Sequence, residues 1–429
     1  MDSNQLPTSQ SIARQVQIYL EGASGKKPLV PTNLTDLERE AKKRMSPKGY
    51  GYMAGGAGEE STITRNREAF ENWKIVPRML QDVSTRDITT DLFGKTLKAP
   101  FLLAPIGVLD LAYKNGDLLT AKAAANTGIP MIFSNQASYS MEQMAGLMGN
   151  NPKWFQLYWS KSNRLVESLI KRAENSGCEA IVLTLDTTLL GWRLRDLDLA
   201  YLPFLEGNGI GQYTSDPVFK ELMKLDLPED PNAPKRRVTL QSIATLIKLA
   251  QNYPGSFFKN LTSGEPIKAV QTFINIYSRP NLTFEDLPFL RKLTKLPILL
   301  KGVLHPEDAI KACEYGIDGI IVSNHGGRQV NGAVSTFEVL PEIVNAVGHK
   351  VPVLMDSGIR TGSDIFKALA LGAKAVLLGR TYCYGLAIAG QKGVEEVIQN
   401  TIADFELTMG LAGCKAVNEI TSGHLKKVN

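Results

Sequence analysis

From about Pro100 onward, short runs of consecutive apolar residues recur along the chain, each ending in a polar residue or glycine. Phe101–Pro105, Met131–Ser134, Trp154–Tyr158 and Ile181–Asp186 come first; Ile298–Lys301, Ile320–Asn324, Val353–Asp356 and Val376–Arg380 follow after a long interruption. Runs that are continuously apolar, not alternating, suit parallel strands buried on both faces. The segments between them read as helices. Pro306–Gly316 opens on proline and acids and closes on glycine, and Thr361–Gly372 follows the same plan, as helix ends prefer. Eight such strands separated by helices predict an α/β chain of the (β/α)8 TIM-barrel class over residues 100–413. An open doubly wound sheet is the rival, weakened because no Gly-x-Gly-x-x-Gly opens the first strand-to-helix turn.

Two regions depart from this pattern. Ahead of the barrel, 33–99 forms a lead-in that starts with a capped, charged helix at Asn33–Met45 and continues into a glycine cluster, Tyr50–Gly58, expected to be flexible. Residues 1–32 are polar and expected to be mobile. The second departure is an insertion after the fourth strand, 197–290, far longer than a bare connection. It carries a basic Lys235-Arg-Arg237 and a helical stretch at Val238–Gln251, and is read as a lid or an oligomer contact. The amphipathic stretch Val394–Met409 is expected to pack on the barrel as a final helix, followed by a tail, 414–429.

Composition narrows the class. The 48 basic and 43 acidic residues leave a formal charge of +5 over 429 residues, too little for a nucleic-acid footprint. No apolar run reaches the ~18 residues of a membrane span, and the N-terminus lacks a secretory pattern. Cys178, Cys313, Cys383 and Cys414 stand apart with no CxxC pair and read as thiols of a reducing compartment. The chain ends in Lys-Lys-Val-Asn, which is no peroxisomal address. A cytoplasmic protein without nucleic-acid or membrane partners is expected.

Catalytic groups of such barrels gather at the C-terminal strand ends. Those ends carry Gly107, Ser134, Gln156, Tyr158, Thr184, Asp186, Lys301, Ser323, His325, Arg328, Asp356, Arg360 and Arg380, an unusually polar rim. Asp356-Ser-Gly-Ile-Arg-Thr-Gly362 and Leu378-Gly-Arg380 follow the last two strands and combine glycine amides with two arginines, as a phosphate cradle would; glycine-stopped strands with solvated arginines are the bland alternative. Of the four histidines, His325 alone follows a buried strand and precedes two glycines. An imidazole there can accept a proton near neutral pH, or be a core histidine bonded to a carbonyl. Arg328 can grip a carboxylate. His305 reads as a helix-entry residue, His349 and His424 as surface residues. No His/Cys/carboxylate cluster suggests zinc or another metal. Lys301, at the end of an apolar strand, needs an anion or a reaction role: a Schiff-base lysine, or a partner for charge developing on a cofactor ring. Asp186 could orient protonated His325 or form a plain salt bridge.

These residues, in this order, resemble the FMN-dependent α-hydroxy acid oxidases and dehydrogenases. The resemblance runs from about Tyr50 to Gly413 and rests on Ser-Asn-His-Gly-Gly-Arg at 323–328, Phe-Gln-Leu-Tyr at 155–158, Leu-Thr-Leu-Asp-Thr at 183–187, Pro-Ile-Leu-Leu-Lys-Gly-Val at 297–303 and Phe-Lys-Ala-Leu-Ala-Leu-Gly-Ala at 366–373. It implies FMN as cofactor, a small 2-hydroxy acid as substrate and a homotetramer. His325 matches the family's base, Asp186 its carboxylate partner, and Arg193 and Arg328 the substrate clamp. Tyr52 and Tyr158 match two tyrosines over the substrate, and Lys301 the lysine beside the flavin. Pro105, Ile106, Gly107, Ser134, Gln156, Thr184 and Ser323 match ring and ribityl contacts; Asp356, Gly358, Arg360, Gly379 and Arg380 match the ribityl–phosphate site.

Within the family, Leu190–Phe204 and the long insertion look most like lactate 2-monooxygenases. That implies oxidation of L-lactate with O2 to acetate, carbon dioxide and water. Simple oxidation to the 2-keto acid and peroxide is the alternative, followed by a dehydrogenase with another acceptor and, remotely, a non-catalytic flavin or hydroxy-acid sensor. Gly107 stands where oxidases often carry alanine, and Asn135-Gln136 departs from the aromatic that several oxidases have there. No His-Pro-Gly-Gly haem signature precedes the barrel, so no attached cytochrome domain is expected.

Overall fold

The computed structural model of the chain describes residues 9–225 and 239–428. Lys235-Arg-Arg237 lies outside the described residues. Eight parallel strands close into a barrel: β1 (Phe101–Leu103), β2 (Met131–Phe133), β3 (Lys153–Leu157), β4 (Ile181–Thr184), β5 (Ile298–Val303), β6 (Gly319–Val322), β7 (Val353–Met355) and β8 (Ala375–Leu378). Each pairs with its neighbour in chain order, and Val376 opposite Phe101 closes the ring. All eight apolar runs are strands.

The continuous apolar character has a direct cause, because each strand is buried on both faces. Leu102, Ile132, Val182, Leu299, Ile321, Leu354 and Leu377 point inward and pack with one another. Their sequence neighbours Phe101, Phe133, Leu183, Leu300, Val322, Met355 and Leu378 point outward into the layer of helices. The hairpin Thr90–Leu92 with Lys95–Leu97 closes one end of the barrel, placing Leu92, Phe93 and Leu97 against its inner core; the Phe93 ring lies 5.9 Å from Trp154. The polar rim occupies the opposite, C-terminal end.

The helices follow their sequence signals. Pro306–Glu314 starts with proline in its first turn and is capped by His305, whose Nδ1 accepts from the Glu307 amide. Gly362–Ala370 has a capping box formed by Thr361 and Asp364. Leu34–Arg44 is capped by Asn33, and Leu240–Asn252 by Thr239. The final helix is longer than its amphipathic part, running Arg380–Leu411 with a bend at Ala389 and Gly390.

Three expectations fail. In the N-terminal stretch 1–32, expected to be mobile, residues 1–8 lie outside the described residues and Gln10–Ala23 is a helix docked on the final helix. The Ser11 amide donates to Glu406 Oε2 at 2.7 Å and Arg14 Nε to Asn400 Oδ1 at 2.8 Å, while Val30 is fully buried. The glycine cluster is not flexible: Pro47–Ala54 is a largely buried helix, and a Cβ on Gly49 would stand 2.7 Å from the Leu111 carbonyl oxygen. His424 is buried too, its Nε2 3.3 Å from Cys414 Sγ.

Among the described residues no helix is long and apolar enough to cross a membrane. Glu406 is buried and also faces Arg86 Nε at 3.2 Å. Removing one partner of such a buried pair strands the other charge, so Glu406→Ala is expected to lower unfolding free energy by about 3 kcal/mol. The same change is expected to open residues 9–32 to limited proteolysis; denaturant titration and timed protease digestion check both.

Candidate active site

The barrel mouth encloses a cavity of 330 Å³. Its wall includes Tyr52, Pro105, Ile106, Gly107, Gln156, Tyr158, Thr184, Arg193, Lys301, His325, Arg328, Asp356, Gly358, Arg360, Gly379 and Arg380. Three expected residues lie behind that wall: Asp186, Ser134 and Ser323. Each is hydrogen-bonded to a neighbour at the site: Ser134 to the Gln136 amide, Ser323 to Lys301 and Asp186 to His325.

His325 follows β6 in a left-handed conformation, φ 58°, a strained geometry outside glycine. The Ser323 hydroxyl holds the turn by accepting from the His325 amide at 3.1 Å. The ring Nδ1 lies 2.7 Å from Asp186 Oδ1. A carboxylate only accepts, so Nδ1 carries the proton and Nε2 is left with its lone pair. Thr187, not anticipated from sequence, donates to the same Asp186 oxygen at 2.9 Å. A β-bulge in β5 at Lys301–Val303 makes room: Gly302 sits at φ 107°, and a Cβ there would lie 2.8 Å from Asp186 Cβ.

The electrostatics favour this tautomer and charge state. Burial pushes the His325 imidazole below its ordinary value; Asp186 pulls it up, and Lys301 and Arg193 push it down again. Burial alone would raise the Asp186 carboxyl, but the His325 ring and Lys301 outweigh it and hold it below the ordinary range. Lys301 is buried, which works against its charge, yet Asp356 and Asp186 keep it above the usual lysine value. Its Nζ lies 3.0 Å from Asp356 Oδ2 and donates to Ser323 Oγ at 2.8 Å. A cationic lysine so held is no Schiff-base nucleophile.

Arg193 and Arg328 flank the Tyr52 ring, their guanidinium carbons 6.0 and 5.0 Å from its centroid. Burial and then the neighbouring Arg193 charge push Arg328 down to about 9, so the pair calls for an anion. Arg328 has a second task. Its Nη1 donates to the carbonyls of Tyr52 and Gly55, and Arg380 Nη2 also reaches Gly55 O, at 2.9 Å. Two cations thus cover the carbonyl end of helix Pro47–Ala54, where its dipole is negative. That is how a tyrosine far ahead of the barrel arrives in its mouth.

The residues present fit FMN. Gln156 Nε2, Thr184 Oγ1 and Arg380 Nε are buried without a hydrogen-bond partner among the described residues, a costly condition that a polar ring system and phosphate would relieve. The Arg360 guanidinium, pushed down to about 10 by burial with Arg380 nearby, bonds among the described residues only its neighbour's carbonyl, Ile359 O. At Gly379, the cap of the final helix, a Cβ would meet only Ile106 Cδ1, at 3.9 Å; it would take up cavity space. On Gly107 a Cβ would come within 3.1 Å of Gln136 Cβ, which accounts for the missing methyl group.

Sequence patterns missed the outer wall. Leu202, Phe204, Phe273, Ile274 and Tyr277 reach the cavity from the insertion. Nothing local marks them; they lie on the short turn Pro203–Glu206 and on or beside helix Glu265–Ile276, which packs back over the mouth. Gly211 N bonds Ala137 O, and Lys161 N bonds Ile276 O.

Glycines and arginines after β7 and β8, a cavity of cofactor size and a histidine–carboxylate pair sharing it with two further arginines are the parts that a flavin-dependent oxidoreductase of small acids needs. Comparison with known proteins gives the family: residues 41–427 match the FMN-dependent dehydrogenases, and the chain belongs to that family, with FMN as its cofactor. It is 38% identical over 417 residues to the FMN-dependent alpha-hydroxy acid dehydrogenase qulF of Penicillium citrinum, covering 97% of this chain and 96% of that one. It is 39% identical over 397 residues to the L-lactate oxidase of Lysinibacillus sphaericus, covering 92% and 93%. The structure of mandelate oxidase with (S)-4-hydroxymandelic acid superposes with a TM-score of 0.75 at 35% identity, covering 92% of this chain and 98% of the other.

With the imidazole held below its ordinary value, the acid limb of kcat/KM is expected below the pH at which a free histidine titrates. Activity rises as His325 loses its proton and is full above it. Asp186→Asn offers an amide donor to Nδ1 and favours the wrong tautomer, with an expected loss of about 10²–10⁴ in kcat and FMN still bound. A pH–rate profile and a flavin absorbance spectrum check these outcomes.

Proposed function

We propose that the protein is a 2-hydroxy acid oxidase: a short 2-hydroxy acid and O2 give the 2-keto acid and hydrogen peroxide. The observation that carries this reading is the free Nε2 of His325, fixed by Asp186 at 2.7 Å, in one cavity with the Arg193–Arg328 pair. The two guanidiniums bind and orient the substrate carboxylate, which settles their mutual repulsion. Tyr52 and Tyr158 close over it; burial pushes the Tyr158 hydroxyl up, so it stays a hydrogen-bond donor. His325 Nε2 takes the proton released as the alcohol becomes a ketone. FMN supplies the two-electron acceptor that O2 regenerates. Lys301 contributes fixed positive charge at the cavity floor.

The relatives favour oxidase chemistry over the monooxygenase outcome that Leu190–Phe204 suggests in sequence, since L-lactate oxidases of Lysinibacillus sphaericus and Nostoc are among them. One observation supports the monooxygenase as a second reading: the insertion walls the cavity. Retained keto acid and peroxide would react to a carboxylic acid one carbon shorter, carbon dioxide and water.

L-Lactate added without air to the yellow holoenzyme is expected to bleach the flavin. On admitting air, pyruvate and peroxide are expected in equal amounts. Acetate without free peroxide would replace this reading with the monooxygenase. Bleaching with a dye acceptor but no oxygen uptake would make the protein a dehydrogenase.

A further inference from the structure

Among the described residues five insertion side chains line the cavity wall, Leu202, Phe204, Phe273, Ile274 and Tyr277; they take no part in the charged machinery and present mostly carbon. Their place is fixed at both ends. Phe204 lies on Gly209, where a Cβ would come within 3.0 Å of Phe204 Cε1, 3.0 Å of the Gln136 carbonyl oxygen and 2.6 Å of Val108 Cγ2. That end of the wall therefore closes on the loops after β1 and β2. At the other end Tyr277 stacks on Phe273, ring centroids 5.1 Å apart. Tyr277 lines the same cavity as Arg193 and Tyr52, which puts this end of the wall in one space with the carboxylate clamp. Between the two ends Phe273 is fully buried. Phe204 at 5.1 Å, Tyr213 at 4.8 Å and Tyr277 grip its ring, so it cannot withdraw. The wall is preformed and apolar.

The geometry points to a side-chain subsite: the insertion wall receives the substituent on C2 of the hydroxy acid and selects a branched aliphatic or aromatic group over a methyl. This rests on the hydroxy-acid reading. Once the carboxylate is on Arg193 and Arg328 and the alcohol carbon faces His325, the C2 substituent is the part left to meet carbon. A methyl group leaves most of that surface uncovered. Each further buried methylene is worth roughly fourfold, so three additional carbons give tenfold or more in kcat/KM even when only part of their surface is covered.

The test compares L-lactate, L-2-hydroxyisocaproate and L-3-phenyllactate on the FMN-loaded enzyme, by anaerobic bleaching rate and by kcat/KM. The two larger acids are expected to exceed lactate by about tenfold or more. Ile274 is 42% exposed, so Ile274→Ala leaves the fold intact; it and Leu202→Ala are expected to narrow the ratio several-fold, mainly through KM for the larger acids. Bleaching that is fastest with lactate and slows as the side chain grows would overturn the subsite while leaving the oxidase reading in place. So would a ratio that neither substitution changes. No bleaching by any of the three would overturn the hydroxy-acid reading and the subsite with it.

Discussion

A single line of two carboxylates, one cation and a neutral imidazole, Asp356–Lys301–Asp186–His325, sets the state of the barrel mouth. Each member would be expensive to bury alone. Lys301 is kept cationic because Asp356 lies 3.0 Å away; that fixed cation helps keep Asp186 ionised. The ionised carboxylate then dictates which ring nitrogen of His325 holds the proton. Ser323 ties the line together, accepting from the lysine and from the His325 amide with one oxygen. The members come from β4, β5, β6 and β7 or the loops directly after them, so closure of the barrel is what brings them together.

The arginines play a comparable double part. Arg328 and Arg380 neutralise the carbonyl end of helix Pro47–Ala54, and both line the cavity. The Tyr52 ring centroid lies 6.0 and 5.0 Å from the guanidinium carbons of Arg193 and Arg328, so Arg328 both anchors the N-terminal segment and lines the cavity. Glycines at 49, 302 and 379 serve the same economy of space, each at a point where a methyl group would strike a carbonyl, crowd the catalytic carboxylate or take up cavity volume.

How much of this could be read from residues alone varied with sequence distance. The apolar runs from Phe101 to Leu378 identify all eight strands because burial on both faces leaves a local signature. The motif around His325 likewise announces its chemistry. Ser134, Asp186 and Ser323 stand at or just after strand ends, yet whether they face the cavity or brace a neighbour is a matter of side-chain direction that no spacing encodes. Thr187 sits beside a recognised motif residue and still gave no sign of its bond to Asp186. Phe204 and Phe273 look like ordinary core residues of an insertion, which they also are.

The sequence by itself determined the barrel and, through the resemblance its motifs carry, the family and its FMN, since buried strand runs and a dense motif are properties of neighbouring residues. Only the tertiary structure decided that the polar N-terminus is anchored on Glu406, that the glycine cluster is a buried helix, and that the insertion forms an apolar wall over the site. Those outcomes depend on contacts between segments tens to hundreds of positions apart. Such contacts exist only once the ring of strands has closed and its helices have taken their places around it.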